Sequence, residues 1–133
     1  MKKQTMDEIF YHETRKVPDI KKCEYCELES PHDPHEIFCG HGIREISIEY
    51  KLIVFVCRKC HDLLQHGYKT EDEKRDQQRK CFKILGIPQM YIPVYHIINK
   101  NKSDWDDTDY MIMKSVKSII NKKRSKIDYI LCK

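Results

Sequence analysis

The residues best placed to do chemistry are four cysteines and the histidines around them. Cys23-Glu24-Tyr25-Cys26 and Cys57-Arg58-Lys59-Cys60 are two Cys-x-x-Cys turns with 30 residues between them. Each turn offers two thiolates, and structural Zn²⁺ commonly takes four in a tetrahedron. The spacing predicts one structural Zn²⁺ on Cys23, Cys26, Cys57 and Cys60. A redox dithiol needs one such pair after a βα unit, not two pairs. Structural zinc contributes about 10–16 kcal/mol of binding free energy that is also folding free energy. His61 follows Cys60 directly, and His66 lies five residues further on. Imidazoles beside a closed thiolate site are free to build a second, open one that admits water and phosphate. Five residues is about 140° around a regular helix, so His61 and His66 share an ion only if the helix ends or loosens near Gln65. Gly67 permits that. The expectation is one metal that holds the fold and one that does chemistry.

The rest of the chain must position these groups. Its 133 residues suit a single domain. Its mean hydropathy of -0.71 predicts a lean core that gains from a metal staple. No apolar run reaches membrane-spanning length, and residues 1–10 lack the apolar stretch of a signal peptide. A cytoplasmic setting is expected, where thiols stay reduced and bind metal. The net charge of +4 is uneven: residues 110–133 carry seven basic side chains against Asp128 alone. Such a basic tail, with Lys122, Lys123 and Arg124 at its centre, suits a polyanion such as nucleic acid, or forms a solvated helix face.

The pattern divides the chain into an N-terminal helix or arm (1–20), a core (21–68), a helix (69–86) and a C-terminal extension (87–133). Residues 6–12 are expected to form a short helix. Residues 35–39 read as a short strand closed by Gly40 and Gly42. Ile46, Ile48 and Tyr50 alternate with polar residues, which suits an extended segment. The run 52–56, Leu-Ile-Val-Phe-Val, is the strongest strand and leads into Cys57. Residues 58–65 read as a helix ended near Gly67. Thr70 with Glu73 is a capping-box start for a helix to Leu85, ended by Gly86 and Pro88. Residues 86–95 read as irregular or edge strand. Asp104, Asp106, Asp107 and Asp109 crowd the start of a last helix with a stripe of Ile112, Val116, Ile119 and Ile120. Cys81 is expected to be an apolar core residue. The order strand, connector, strand, Cys-x-x-Cys, helix is a ββα arrangement around a metal.

In these residues the chain resembles the HNH, or ββα-metal, endonucleases, in particular small members encoded by bacteriophages and prophages. The likeness rests on Cys23-x-x-Cys26, His35-Glu36-Ile37-Phe38-x-Gly40, Arg44 and Ser47, the apolar strand, Cys57-x-x-Cys60-His61 and His66-Gly67. It covers about residues 21–85; the stretch from 86 onward has no counterpart in it. The resemblance implies an α+β fold: a zinc-stapled ββα core with flanking helices and a helical extension. It implies a metal-dependent endonuclease that enters the minor groove of double-stranded DNA and leaves 5′ phosphate and 3′ hydroxyl ends. It also implies a bacterial cytoplasm as the setting.

The resemblance also distributes roles. His35, His61 and His66 would hold the catalytic cation, which could be Mg²⁺, Mn²⁺, Ni²⁺ or Zn²⁺. Glu36 would then stand where the family usually has a general-base His. In the other registration His35 is the base, Pro34 stands at the ligand position, and Asp33 is the available substitute. A carboxylate is a weaker base than imidazole near neutrality. Arg44 would grip a phosphate oxygen pair and Ser47 would add a hydrogen bond. His41 is an outside candidate for the base; His12, His32 and His96 read as ordinary. A second function class stays open: a zinc-stapled module that binds DNA, or a phage or host protein, with little or no cleavage.

Overall fold

A computed structural model describes residues 20–131 of the chain. The expected 6–12 helix and Cys132 lie outside the described residues. Among the described residues two strands pair antiparallel: β1 (Asp33–Glu36) and β2 (Ile53–Val56), in the register Asp33 with Val56 and His35 with Val54. Between them lies helix α1 (Arg44–Glu49). After them come α2 (Arg58–His66), α3 (Glu71–Ile84), α4 (Tyr91–Ile98) and α5 (Asp107–Leu131), with 3₁₀ turns at Pro88–Met90 and Lys102–Asp104. The α+β class agrees with the sequence, with a helix rather than an extended connector between the two strands. No helix among the described residues is long and apolar enough to cross a membrane.

Three local expectations are corrected. The first strand ends at Glu36 rather than Cys39. Ile46, Ile48 and Tyr50 lie on and just after a helix, not in an extended segment. Alternation alone misled there, because Ile46, Ser47 and Tyr50 are buried at helical spacing while Ile48 is only half-buried. The Ser47 hydroxyl donates to the Phe38 carbonyl at 2.6 Å and accepts from the Phe38 amide at 3.1 Å, pinning α1 to the end of β1. Residues 86–95 are helical over most of their length. Pro93 is the third residue of α4, where an amide has no intrahelical partner to lose.

Other signals map directly onto structure. The Thr70 hydroxyl accepts from the Glu73 amide at 3.1 Å, and Glu73 in turn accepts from the Lys69 amide at 2.7 Å. This is a capping box displaced by one residue. At the other end of α3, Gly86 adopts φ +82°. The Gly86 amide then bonds Lys83 and the Ile87 amide bonds Phe82, which is a Schellman closure.

The core is fuller than the hydropathy suggests. Every residue of β2 is buried. Phe38, Phe82 and Tyr91 form an aromatic cluster with ring centroids 5.2–6.2 Å apart. Val94, Ile97, Ile98, Trp105, Met113, Val116 and Ile120 extend that core from beyond residue 86. The stripe of α5 is therefore centred on Met113, Val116 and Ile120, with Ile112 and Ile119 at its margins. The C-terminal stretch is part of the folded body, not an appendage to it.

Candidate metal centres

Cys23, Cys26, Cys57 and Cys60 converge so that their four Sγ atoms all lie within 4.8 Å of one another. They are the one such group of three or more His, Cys, Asp or Glu side chains among the described residues. A tetrahedral Zn²⁺ with Zn–S near 2.3 Å places its sulfurs about 3.8 Å apart. Cys26 Sγ and Cys57 Sγ stand at 3.9 Å, so the donor set fits zinc.

Backbone donors surround these sulfurs. The Cys26 amide points at Cys23 Sγ, the Leu28 amide at Cys26 Sγ and the Cys60 amide at Cys57 Sγ, each at 3.5 Å. The amides of Leu28 and then Glu29 hold the Cys26 thiol down to about 6, favouring the thiolate that binds metal. Burial pushes the Cys57 and Cys60 thiols up. Cys57 is also the N-cap of α2, and Glu27, at φ +61°, closes the first turn. Cys81 is buried, as expected, and burial raises its thiol to about 12. Cys39 is exposed.

The first turn is stitched to β2. The Glu24 amide donates to the Phe55 carbonyl at 2.9 Å, and Glu24 Oε1 accepts from the Phe55 amide at 2.8 Å. Arg124 of α5 then forks onto both Glu24 oxygens at 2.7 and 2.8 Å. It also donates to the Ile53 carbonyl at 2.9 Å. The two side chains are 6% and 11% exposed, so this is a buried ion pair spanning 100 residues of sequence. Arg124 is thus corrected from a nucleic-acid contact to an internal clamp. Ser47 is corrected likewise, since its hydroxyl is spent on Phe38. Lys122 and Lys123 are exposed.

A second cluster lies where β1 faces α2. His35 is 4% exposed, and its ring centroid is 5.5 Å from that of His61 at an interplanar angle of 72°. Two imidazoles on one ion, each about 2.1 Å from it through nitrogen, have centroids roughly 5 Å apart. The spacing of the pair is close to that value. His35 Nδ1 is buried with no hydrogen-bond partner. Burial, and then the neighbouring His61, lower its proton affinity to about 4, so it is a neutral imidazole near neutral pH. That suits a ligand and opposes a general base. Asp33, two residues before His35 and on the same strand face, places Oδ2 3.2 Å from His61 Nδ1. Gln65, one turn along α2, places its amide nitrogen 2.9 Å from His61 Nε2.

His66 does not join this pair. Helix α2 stays regular through His66, so the rotation between it and His61 is not relieved. His66 instead borders a cavity of about 550 Å³ on the cysteine side, with Cys57, Cys60 and Leu63. Glu36 lies on the other face of β1, and its Oε1 accepts from Arg44 Nε at 2.9 Å. The carboxylate and guanidinium meant for water and phosphate thus hold each other. His32, His41 and His96 are exposed. The sequence assigns no role to the side chains of Gln65 and Glu24, and offers Asp33 only as a substitute ligand. No protein-family model, no curated protein and no solved structure matches this chain.

Proposed function

We propose that the chain is a metal-dependent endonuclease of the HNH type, cutting phosphodiester bonds in double-stranded DNA. One observation carries the reading: His35 of β1 and His61 of α2 face each other at 5.5 Å, directly beyond a four-cysteine cluster. The cysteines hold Zn²⁺ as a structural ion. His35 and His61 hold the second cation, which when bound neutralises charge on the phosphate and its leaving oxygen. His35 presents a neutral ring. Arg44, half exposed, turns from Glu36 to a phosphate oxygen pair when substrate arrives. Exposed lysines of α5, Lys122 and Lys123 among them, add sequence-independent attraction for DNA that weakens with salt.

The second reading is a zinc-stapled module that binds DNA or a phage or host protein without cutting. The Glu36–Arg44 pair favours it, because a permanent pair would disable both groups. Zinc-loaded protein incubated with supercoiled plasmid and Mg²⁺, Mn²⁺, Ni²⁺ or added Zn²⁺ separates the two. The endonuclease nicks with at least one of them, and nicking stops on chelation. Binding without nicking under all four assigns the module.

A further inference from the structure

We infer that Asp33 is a positioning residue for His61: it fixes the Nδ1–H tautomer and so makes Nε2 the nitrogen that meets the cation. This goes beyond the endonuclease reading and, for the cation, rests on it. A carboxylate only accepts hydrogen bonds. With Oδ2 at 3.2 Å, the facing Nδ1 must carry the proton. The lone pair then lies on Nε2, and the Gln65 amide, a donor, stands 2.9 Å from it. The Gln65 amide accords with that tautomer but does not fix it, because it can turn to present its oxygen instead.

The arrangement also explains what each contact is for. The Gln65 contact is a single exposed side-chain hydrogen bond, so an incoming cation displaces it at small cost. The Asp33 contact is partly buried and anchored on a strand, so it persists. Histidines that bind metal through one nitrogen generally donate the other N–H to a carboxylate, and removing that carboxylate typically costs about 10–100-fold in metal affinity. Asp33 and His35 both sit on β1, two residues apart on one face. The same strand therefore supplies one ligand and the orienting group of the other. The tautomer that Asp33 selects is the one a two-histidine site needs.

The test uses the full zinc-loaded chain with ¹⁵N-labelled histidine. In long-range ¹H–¹⁵N spectra at mildly alkaline pH, His61 should show a protonated Nδ1 and an unprotonated Nε2. Asp33→Ala should shift His61 towards the Nε2–H form that free imidazole prefers in water, with zinc content unchanged. Mn²⁺ affinity, measured by electron paramagnetic resonance, should fall about 10–100-fold in the same variant. An unchanged tautomer in Asp33→Ala overturns the inference, as does a wild-type His61 protonated on Nε2. A wild type with the stated tautomer that binds none of Mn²⁺, Mg²⁺, Ni²⁺ and added Zn²⁺ at this pair upholds the Asp33–His61 arrangement and overturns the endonuclease reading.

Discussion

The cysteine cluster and the histidine pair both draw residues from the first turn of α2, and they are built on opposite principles. Around the cysteines almost every polar group is spoken for: backbone amides point at sulfurs, and Glu24 is shared between β2 and Arg124. Around the histidines groups are left over. His35 Nδ1 has no partner, and His61 Nε2 is covered only by an exposed side-chain amide. A site that holds a fold gains from full satisfaction, because each unmet buried group costs about 1–3 kcal/mol. A site that takes ligands must keep donors unspent. The contrast is the one expected between a site that holds a fold and a site that takes a ligand.

That contrast predicts a ladder of stability effects. The largest belongs to the cysteines. Cys57→Ser should remove most of the roughly 10–16 kcal/mol of zinc-linked folding energy, leaving no cooperative melting transition by circular dichroism. A chain that melts normally after chelation would break the comparison at its first term.

Next is the clamp. Arg124→Met strands the Glu24 carboxylate in a buried place and should cost about 3–5 kcal/mol in urea unfolding. A loss below about 0.5 kcal/mol, the range of ordinary surface changes, would return Arg124 to the solvent-exposed basic tail.

His35 supplies a pH signature. Its folded proton affinity is near 4 against an ordinary 6.5. Between those values the unfolded chain binds a proton that the folded chain does not. Stability from this group is therefore complete above the unfolded value and is lost as pH falls towards the folded one, by up to about 3 kcal/mol. Comparing wild type with His35→Gln across that window isolates the term, since protonation of the cysteine ligands affects both. Parallel curves would mean that His35 is not buried as a neutral ring. A smaller effect, about 1 kcal/mol, is expected for Thr70→Ala, which removes the cap of α3.

Much of this could be read from the sequence where chemistry is local. Two Cys-x-x-Cys turns announce a tetrathiolate cluster because spacing alone sets sulfur separation. Thr70 with Glu73, and Gly86 after Leu85, mark the ends of α3 for equally local reasons. The strand 52–56 shows as an unbroken apolar run. What stayed hidden depends on partners distant in sequence. Nothing near Arg124 says that Glu24 awaits it, so a basic cluster at a helix end looked like a solvated or nucleic-acid face. Ser47 looked available because its partner, Phe38, becomes a neighbour only when residues 44–49 coil. Asp33 and Gln65 were within reach of pattern reasoning. Asp33 shares a strand face with His35 by period two, and Gln65 follows His61 by one helical turn. His66 is the reverse case: its spacing from His61 argues against a shared ion, and α2 stays regular through His66.

The central claim is that the two centres are separable, one for stability and one for chemistry. His61→Ala tests it in a single preparation assayed for zinc per chain, melting temperature and plasmid nicking with Mn²⁺. The account predicts one zinc retained, a melting temperature close to wild type and no nicking. Nicking at the wild-type rate, or loss of zinc together with the fold, would contradict it.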